Sequence, residues 1–187
     1  MIGVISKSIH EWMGQYGITD PEQIKMICPF SLKNFPTSYD DFSLDNSITV
    51  AIFPMPVSPS IEDCVKKLRP ALKQNTNAGK VAVNDYIIKI MSMLPEWVIP
   101  YVSSIFSRKN HICFTNLPIK QNKAKFFGNV MEKVGGFNYM SPIGNLYIIC
   151  LTYNGTLRLT LSTKESLKWD PKILIEKIEN TLTECQG

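Results

Sequence analysis

Residues 144–164, GNLYIICLTYNGTLRLTLSTK, carry the pattern that decides the fold class. Two β-rich runs flank the dipeptide Asn154-Gly155. This dipeptide is typical of a two-residue hairpin turn, because both central positions of such a turn need a positive φ. The stretch therefore predicts an antiparallel hairpin near the end of the chain.

A helix is predicted directly after the hairpin, over residues 170–185. Asp170 is a suitable N-cap, and Pro171 suits the first helical position because its missing N–H costs nothing there. The apolar residues that follow have helical spacing and predict one buried face, made of Ile173, Leu174, Ile178 and Leu182.

The first half of the chain predicts both helices and strands. Residues 2–16 have apolar side chains at helical spacing, and Gly17 is a plausible stop. Residues 24–33 alternate like a buried strand that breaks near Pro29, and residues 48–57 predict a strand that ends in prolines. Residues 35–47 predict a loop.

Further elements follow in the middle of the chain. Ser60 with Asp63 three residues later indicates a helix start, and Pro70 is expected to kink this helix or end it early. Residues 86–106 predict two or three helical pieces divided by prolines, and residues 111–118 predict a strand. Residues 123–142 fit no single pattern. The order predicts an α/β fold, with a mixed sheet flanked by helices in a single domain over residues 1–187.

The charge and the cysteines restrict the function. The net charge is +4, and lysine supplies most of the positive charge, because Arg69, Arg108 and Arg158 are the only arginines. Nucleic-acid readers depend heavily on arginine, so a nucleic-acid partner is not expected. An odd number of widely spaced cysteines indicates reduced, buried thiols in an intracellular, reducing compartment. The cysteines are Cys28, Cys64, Cys113, Cys150 and Cys185.

Residues 86–106 are the most apolar long stretch. Lys89 and Glu96 interrupt it, and Pro95 and Pro100 would break a spanning helix, so it is not expected to cross a bilayer. Packing of these helices in the core is the favoured interpretation. Attachment to a membrane surface through the region of Trp97 and Tyr101 is the alternative.

No recognisable catalytic or metal-binding constellation is present in the sequence. His10 lies in the first predicted helix without a second ligand type at helical spacing, and His111 at a strand start is more consistent with a polar strand end than with a general base. Gly135-Gly136 is read as a turn, and the carboxylates of Asp40 and Asp41 fall in a loop without a nearby histidine or glutamate. We therefore assign no catalytic residue and no metal site.

Three stretches in order resemble the wax ester synthase/diacylglycerol acyltransferase family. IKMICPFSLK is similar to that family's "ramvPvSlR" strand, HICFTNLPIK to its "v-S-N-V-P-G-P" strand, and residues 146–182 to its terminal hairpin and helix. The resemblance extends over essentially the whole chain and is confined to the C-terminal half of the family. It implies one lobe of a chloramphenicol acetyltransferase-like fold, which condensation domains share.

The resemblance also implies where substrate would bind. It places Thr115 and Asn116 on a polar lip of the tunnel between two lobes, with acyl-CoA as a substrate and no cofactor. Thr115 replaces the family's usual serine, and Ile119-Lys120 replace Gly-Pro, which would restrict the following turn. The family's H-H-x-x-x-D-G motif, which holds the histidine that acts as general base, lies in the other lobe and has no match here.

Two functions remain open. The chain is either the C-terminal lobe of an acyl-CoA-dependent O-acyltransferase, inactive without the N-terminal lobe, or a non-catalytic subunit derived from that lobe, a pseudoenzyme that binds another protein. A start at Met1 and the altered turn after Pro118 favour the second. In both cases one lobe of a two-lobed fold should expose an apolar face and self-associate.

Overall fold

A first helix and two strands are followed by three helices, then by five strands and a last α-helix, in a computed structural model that describes residues 1–18, 24–33, 47–109, 112–119, 123–137, 144–167 and 169–185. The helices are α1 (Ile2–Gln15), α2 (Ile61–Asn75), α3 (Ala78–Ser92), α4 (Ile99–Lys109) and α5 (Pro171–Glu184), with a short 3-10 helix at Glu165–Leu167. The strands are β1 (Ile24–Ser31), β2 (Ile48–Met55), β3 (Ile112–Pro118), β4 (Lys125–Phe126), β5 (Asn129–Val130), β6 (Leu146–Tyr153) and β7 (Thr156–Thr163).

Five of these strands form one mixed sheet in the order β2-β1-β3-β6-β7. The outer pairs β1–β2 and β6–β7 are antiparallel, whereas β3 is parallel to both of its neighbours. Strands β4 and β5 make a separate two-stranded hairpin. The predicted fold class, a mixed α/β sheet flanked by helices, is confirmed.

The β6–β7 hairpin turns at the predicted dipeptide. Asn154 has φ 48° and Gly155 has φ 72°, so both central positions lie in the left-handed region that the turn requires. The register runs from Tyr153 opposite Thr156 to Leu146 opposite Thr163 without interruption. The local sequence signal therefore fixes both the turn and the strand pairing.

The helix starts also follow their sequence signals. The Ser60 hydroxyl accepts a hydrogen bond from the Asp63 amide at 3.3 Å, and the Asp170 carboxylate accepts one from the Lys172 amide at 2.9 Å. The expected end of α2 at Pro70 is wrong, because the helix continues to Asn75. Pro70 is exposed, so the carbonyl left without a donor one turn earlier can bond to water.

Helices α1, α2 and α5 cover one face of the sheet, which is called the helix face below. Alternate strand residues point to this face, and the large side chains enclosed there include Trp12, Ile5, Phe53, Met26, Ile148 and Ile178. The apolar stripe predicted for the last helix is confirmed, since Leu174 and Ile178 are buried and Ile173 and Leu182 pack against the same cluster.

The first and last helices pack against each other in antiparallel orientation. The hydroxyls of Ser8 and Thr181 are hydrogen-bonded at 3.3 Å in the buried part of the contact. At its exposed margin, Lys177 and Glu11 form an ion pair at 3.7 Å. Lys7 pairs with Glu184 near the end of α5, so the two ends of the described chain lie on one side of the fold.

The opposite face of the sheet is covered on its β6–β7 side by residues 123–137. The Tyr153 hydroxyl donates to the Met131 carbonyl at 2.7 Å and accepts from the Ala124 amide at 2.8 Å. Gly136 lies over Ile149 and Leu151, and its carbonyl accepts a hydrogen bond from Thr160. Gly136 therefore packs a chain segment onto the sheet, and the predicted turn at Gly135-Gly136 is wrong.

Residues 86–106 contain the end of α3 and most of α4, as predicted, but the favoured packing in the core is wrong. No residue of α3 is buried, and the exposed fractions of Met93 and Trp97 exceed four fifths. Among the described residues, no helix combines the length and apolar character needed to cross a bilayer.

The cysteines are free thiols. Cys64 and Cys150 are buried, and Cys28 and Cys113 are half-buried, but Cys185 is exposed and departs from the prediction.

Candidate functional site

Among the described residues, the parallel strands β1 and β3 pair at two positions. Met26 lies opposite Ile112 and Ile27 opposite Cys113, and the described strands then continue without further pairing to each other. Residues 28–31 and 114–118 are thus the carboxyl ends of these strands, unpaired with each other, and we call this region the β1–β3 wedge. Ligands of open α/β sheets commonly bind outside the carboxyl ends of the strands.

Pro29 explains why the β1–β3 ladder ends there. The Val50 carbonyl, opposite Pro29 on β2, accepts a hydrogen bond from the Asn84 side chain at 2.7 Å and so points away from β1. In an antiparallel sheet, two opposite residues either exchange main-chain hydrogen bonds or both turn their N–H and C=O groups away from each other. Val50 and Pro29 are opposite residues of the second kind. The nitrogen of Pro29 must then face β3, and it has no hydrogen to donate.

This arrangement also corrects the expectation that the strand breaks at Pro29. Strand β1 continues to Ser31 because its bonds to β2 do not need the missing N–H. The sequence pattern predicts that the strand ends at the proline. Whether the strand continues depends on which neighbouring strand the proline nitrogen faces, and only the tertiary pairing determines that.

Thr115 lies on the face of the sheet opposite the helices. It is half-buried, it pairs with Ile149 of β6, and its side chain is hydrogen-bonded to Cys113, two residues earlier on the same face. Burial raises the pKa of the Cys113 thiol, and the hydrogen bond from the Thr115 hydroxyl partly counteracts this rise. The thiol of Cys113 was not among the residues predicted for the site.

Asn116 is exposed and lies on the other side of β3. Its partner on β6 is Cys150, whose side chain belongs to the helix-face core. Successive residues of a strand point to opposite faces. The structure therefore brings Thr115 together with Cys113, whereas the side chains of Thr115 and Asn116 border the strand from its two sides.

Ile119, where the resembled family has glycine, takes an extended path. Its amide donates to the Thr152 carbonyl at 2.8 Å and so prolongs the β3–β6 ladder by one bond. The non-glycine residues with positive φ in the described chain are Phe127 and Asn154, so Ile119 does not adopt the conformation that would favour glycine. Lys120 lies outside the described residues.

On its β1 side, the β1–β3 wedge carries the thiol of Cys28. Burial raises its pKa to about 12, and the proximity of Cys113 adds to the rise. Both thiols are therefore protonated at neutral pH, which makes them poor bases and poor nucleophiles.

The other sequence candidates contribute little to this site. His111, Asp40 and Asp41 lie outside the described residues, and His10 is half-buried in α1. In the described ranges, no group of three or more His, Cys, Asp or Glu side chains is arranged to hold a metal ion.

Comparison with known proteins gives the same fold and a family. The family model of the WS/DGAT C-terminal domain matches residues 44–186, about three quarters of the chain. No curated protein matches the sequence significantly.

Three solved structures have the fold of this chain. The wax ester synthase/diacylglycerol acyltransferase from Marinobacter aquaeolei VT8 matches with a TM-score of 0.54 and 11% identity over 97% of this chain and 41% of its own. The epimerization domain of the third module of tyrocidine synthetase B matches with a TM-score of 0.56 and 14% identity, over 97% of this chain and 40% of its own.

The third is the enacyloxin polyketide synthase structure described for condensation domain-mediated chain release, with a TM-score of 0.53 and 10% identity over 96% of this chain and 34% of its own. The chain spans between about a third and two fifths of the length of these structures. The fold is thus one lobe of the condensation-domain type, and by the family match this chain belongs to the WS/DGAT C-terminal domain family.

Proposed function

We propose that the chain is the C-terminal lobe of an acyl-CoA-dependent O-acyltransferase of the wax ester or triacylglycerol type. The β1–β3 wedge, with Thr115 and Asn116 on its β3 side, borders the substrate tunnel, and an N-terminal lobe supplies the histidine base. The observation that carries the proposal is the match to the WS/DGAT C-terminal domain. The β1–β3 wedge supports the proposal, because it brings two unpaired strand edges and the hydroxyl of Thr115 into one region.

The chemistry of acyl transfer indicates that this lobe is inactive alone. An alcohol that attacks a thioester must lose its proton to a base within about 3 Å of the hydroxyl. The described side chains of the wedge are apolar, amide or hydroxyl groups, together with thiols whose pKa values are raised. None of these groups accepts a proton readily at neutral pH, so we assign the base to another lobe.

Thr115 and Asn116 are assigned to substrate contact. The hydroxyl of Thr115 can donate to a carbonyl oxygen, and the exposed amide of Asn116 can both donate and accept. A donor near the thioester carbonyl would stabilise the negative charge that develops on its oxygen during attack. These roles position and polarise the substrate and do not include proton abstraction.

Binding and turnover are tested separately. The isolated chain is titrated with a non-reactive thioether analogue of a long-chain acyl-CoA, and amide chemical shifts are followed by NMR. We expect shifts concentrated in residues 28–31 and 114–118, with weaker binding by Thr115→Val. Thr163→Val is the matched control, because Thr163 is a half-buried strand threonine at the far edge of the sheet.

Turnover is then measured with a long-chain acyl-CoA and either a long-chain alcohol or a diacylglycerol. We expect no ester from the chain alone. Ester formation by the isolated chain that Thr115→Val abolishes would contradict the assignment of the base to another lobe.

The second candidate is a non-catalytic subunit that binds another protein through the wedge. The unpaired edges of β1 and β3 favour it, because an extended segment of a partner can add to such edges through main-chain hydrogen bonds. A folded chain whose wedge amides do not respond to the acyl-CoA analogue would favour this candidate over the enzyme lobe.

A further inference from the structure

Helices α3 and α4 carry a large apolar surface that faces solvent. Its most exposed members are Met93 at 82%, Trp97 at 81% and Tyr101 at 70%. Together with Tyr86, Ile90 and Ile105 they make what we call the α3–α4 surface. Exposed large apolar side chains in such number commonly mark an interaction site.

This surface is separate from the hydrophobic core. The core cluster of the described chain includes no side chain of α3 or α4. A hydrogen bond from the Asn84 side chain to the Val50 carbonyl attaches α3 to the edge strand β2. Helix α3 thus lies beside the β2 edge of the sheet, and the β1–β3 wedge lies on the other side of β1.

A cationic helix face accompanies the apolar surface. Lys66, Arg69 and Lys73 lie at spacings of three and four residues on α2, which places them on one exposed side of that helix. Lys67 and Lys80 are exposed next to this stripe, and none of the five forms an ion pair with another described residue. Helices α2 and α3 both contact β2, so the cationic face and the α3 part of the α3–α4 surface lie near the same edge of the sheet.

Few negative charges oppose this cationic face. Asp85 of α3 is paired with Lys89 at 2.8 Å, and Glu96 stands between the two helices. After Asp63, α2 has no acidic residue. An excess of lysine and arginine beside exposed apolar side chains is complementary to a surface with negative headgroups and an apolar interior.

We infer that the α3–α4 surface docks on an anionic lipid surface. The aromatic rings of Trp97, Tyr86 and Tyr101 occupy the headgroup level, and Met93 and Ile90 reach the upper acyl region. The lysines and the arginine of α2 contact lipid phosphates and carboxylates. Pro95 separates the helices, so they lie along the surface as two short segments. This inference does not depend on the proposed acyltransferase function, because it uses none of the wedge residues.

Vesicle binding provides the test. The chain is mixed with vesicles of phosphatidylcholine alone or with roughly one third phosphatidylserine, a content that gives a clearly negative surface potential. We expect co-sedimentation with the anionic vesicles, at least about tenfold weaker binding to the neutral ones, and loss of binding at high salt. Binding should also shift tryptophan emission to the blue, because Trp97 is exposed whereas Trp12 is buried.

Four variants assign the binding to this surface. Met93→Ser combined with Trp97→Ser should reduce vesicle affinity by about tenfold or more. Lys66→Glu combined with Arg69→Glu should remove the preference for anionic lipid. Phe137→Ser is the matched control, since Phe137 is a 91% exposed aromatic residue far along the chain from α3 and α4. Trp97→Phe should retain binding and lose the emission shift.

The proposal is overturned if the folded chain fails to bind anionic vesicles, or if Phe137→Ser weakens binding as much as the double serine variant. It is also overturned if the double serine variant changes only the association of the protein with itself or with another protein.

Discussion

The half-buried thiol of Cys28 is expected to lower the stability of the fold at alkaline pH. Its pKa in the folded chain is raised from the ordinary value of 9.0 to about 12 by burial and by the nearby Cys113. Because the folded state holds the proton more tightly, this contribution is fully present below pH 9 and is lost as pH rises from 9 towards 12.

We therefore expect the free energy of unfolding to fall less steeply above pH 9 in Cys28→Ala than in the wild type. One such group contributes at most about 1.4 kcal/mol per pH unit. Urea unfolding between pH 7.5 and 10.5 measures the slopes of both proteins. Cys185→Ala is the control, because Cys185 is exposed. Equal slopes for the wild type and Cys28→Ala would contradict the expectation.

Individual residues were predictable where their role is local. Ser60 and Asp170 cap helices because their side chains reach amides two or three positions later, and such contacts depend only on the nearby sequence. The hydrogen bond between Thr115 and Cys113 was not predicted, since it exists only once β3 is extended and this face of the strand is partly enclosed. The roles of Thr115 and Asn116 came from the family resemblance and stay a prediction.

At the scale of elements, the turn of the β6–β7 hairpin can be tested directly. Asn154 has φ 48°, a conformation that a β-branched residue adopts only with strain. We expect Asn154→Val to lower the free energy of unfolding by about 1–2 kcal/mol, as measured by urea denaturation. Asn129→Val, in an exposed strand without positive φ, should change it by less than about 0.5 kcal/mol. Similar losses for the two variants would contradict this explanation.

The existence of most elements followed from periodicity and capping, whereas their burial and limits often did not. The helical pieces of residues 86–106 were predicted, but their apolar side chains were expected in the core. Helical periodicity identifies the apolar face of a helix, but it does not identify what that face packs against. The sequence predicts a break at Pro29 and a kink or an early end at Pro70, and it does not show what faces the missing N–H and the unbonded carbonyl, which decides whether the strand and the helix continue.

For the whole molecule, we expect the isolated chain to self-associate through the β4–β5 hairpin. All four strand residues of this hairpin are exposed, and Phe126 and Phe127 at its tip are 65% and 89% exposed. Size-exclusion chromatography should show elution that moves to larger apparent size with concentration. Phe126→Ser combined with Phe127→Ser should restore a monomer, whereas the Met93→Ser, Trp97→Ser variant should not. A wild type that stays monomeric at all concentrations would refute this.

The order of strands in the sheet is the feature least accessible from the residues alone. The pairing of β1 with β3 places Ile27 opposite Cys113, although α2, α3 and α4 lie between these two residues in the sequence. No local pattern specifies such a partner. The family resemblance supplied the fold, and the family match and the solved structures confirm it. The position of the wedge could be found only from the register of β1 and β3 in the structure.

The antiparallel contact between α1 and α5 has a consequence for biosynthesis. Lys7 meets Glu184, and Glu11 meets Lys177, only after all the strands and helices between α1 and α5 have been made. At about 5–20 residues per second, the ribosome needs on the order of 10–30 seconds to reach α5. During this interval the apolar stripe of the nascent α1, with Ile5, Ile9 and Trp12, lacks α5 as its cover. We therefore expect the emerging polypeptide to bind chaperones that hold exposed apolar helices until α5 has been made.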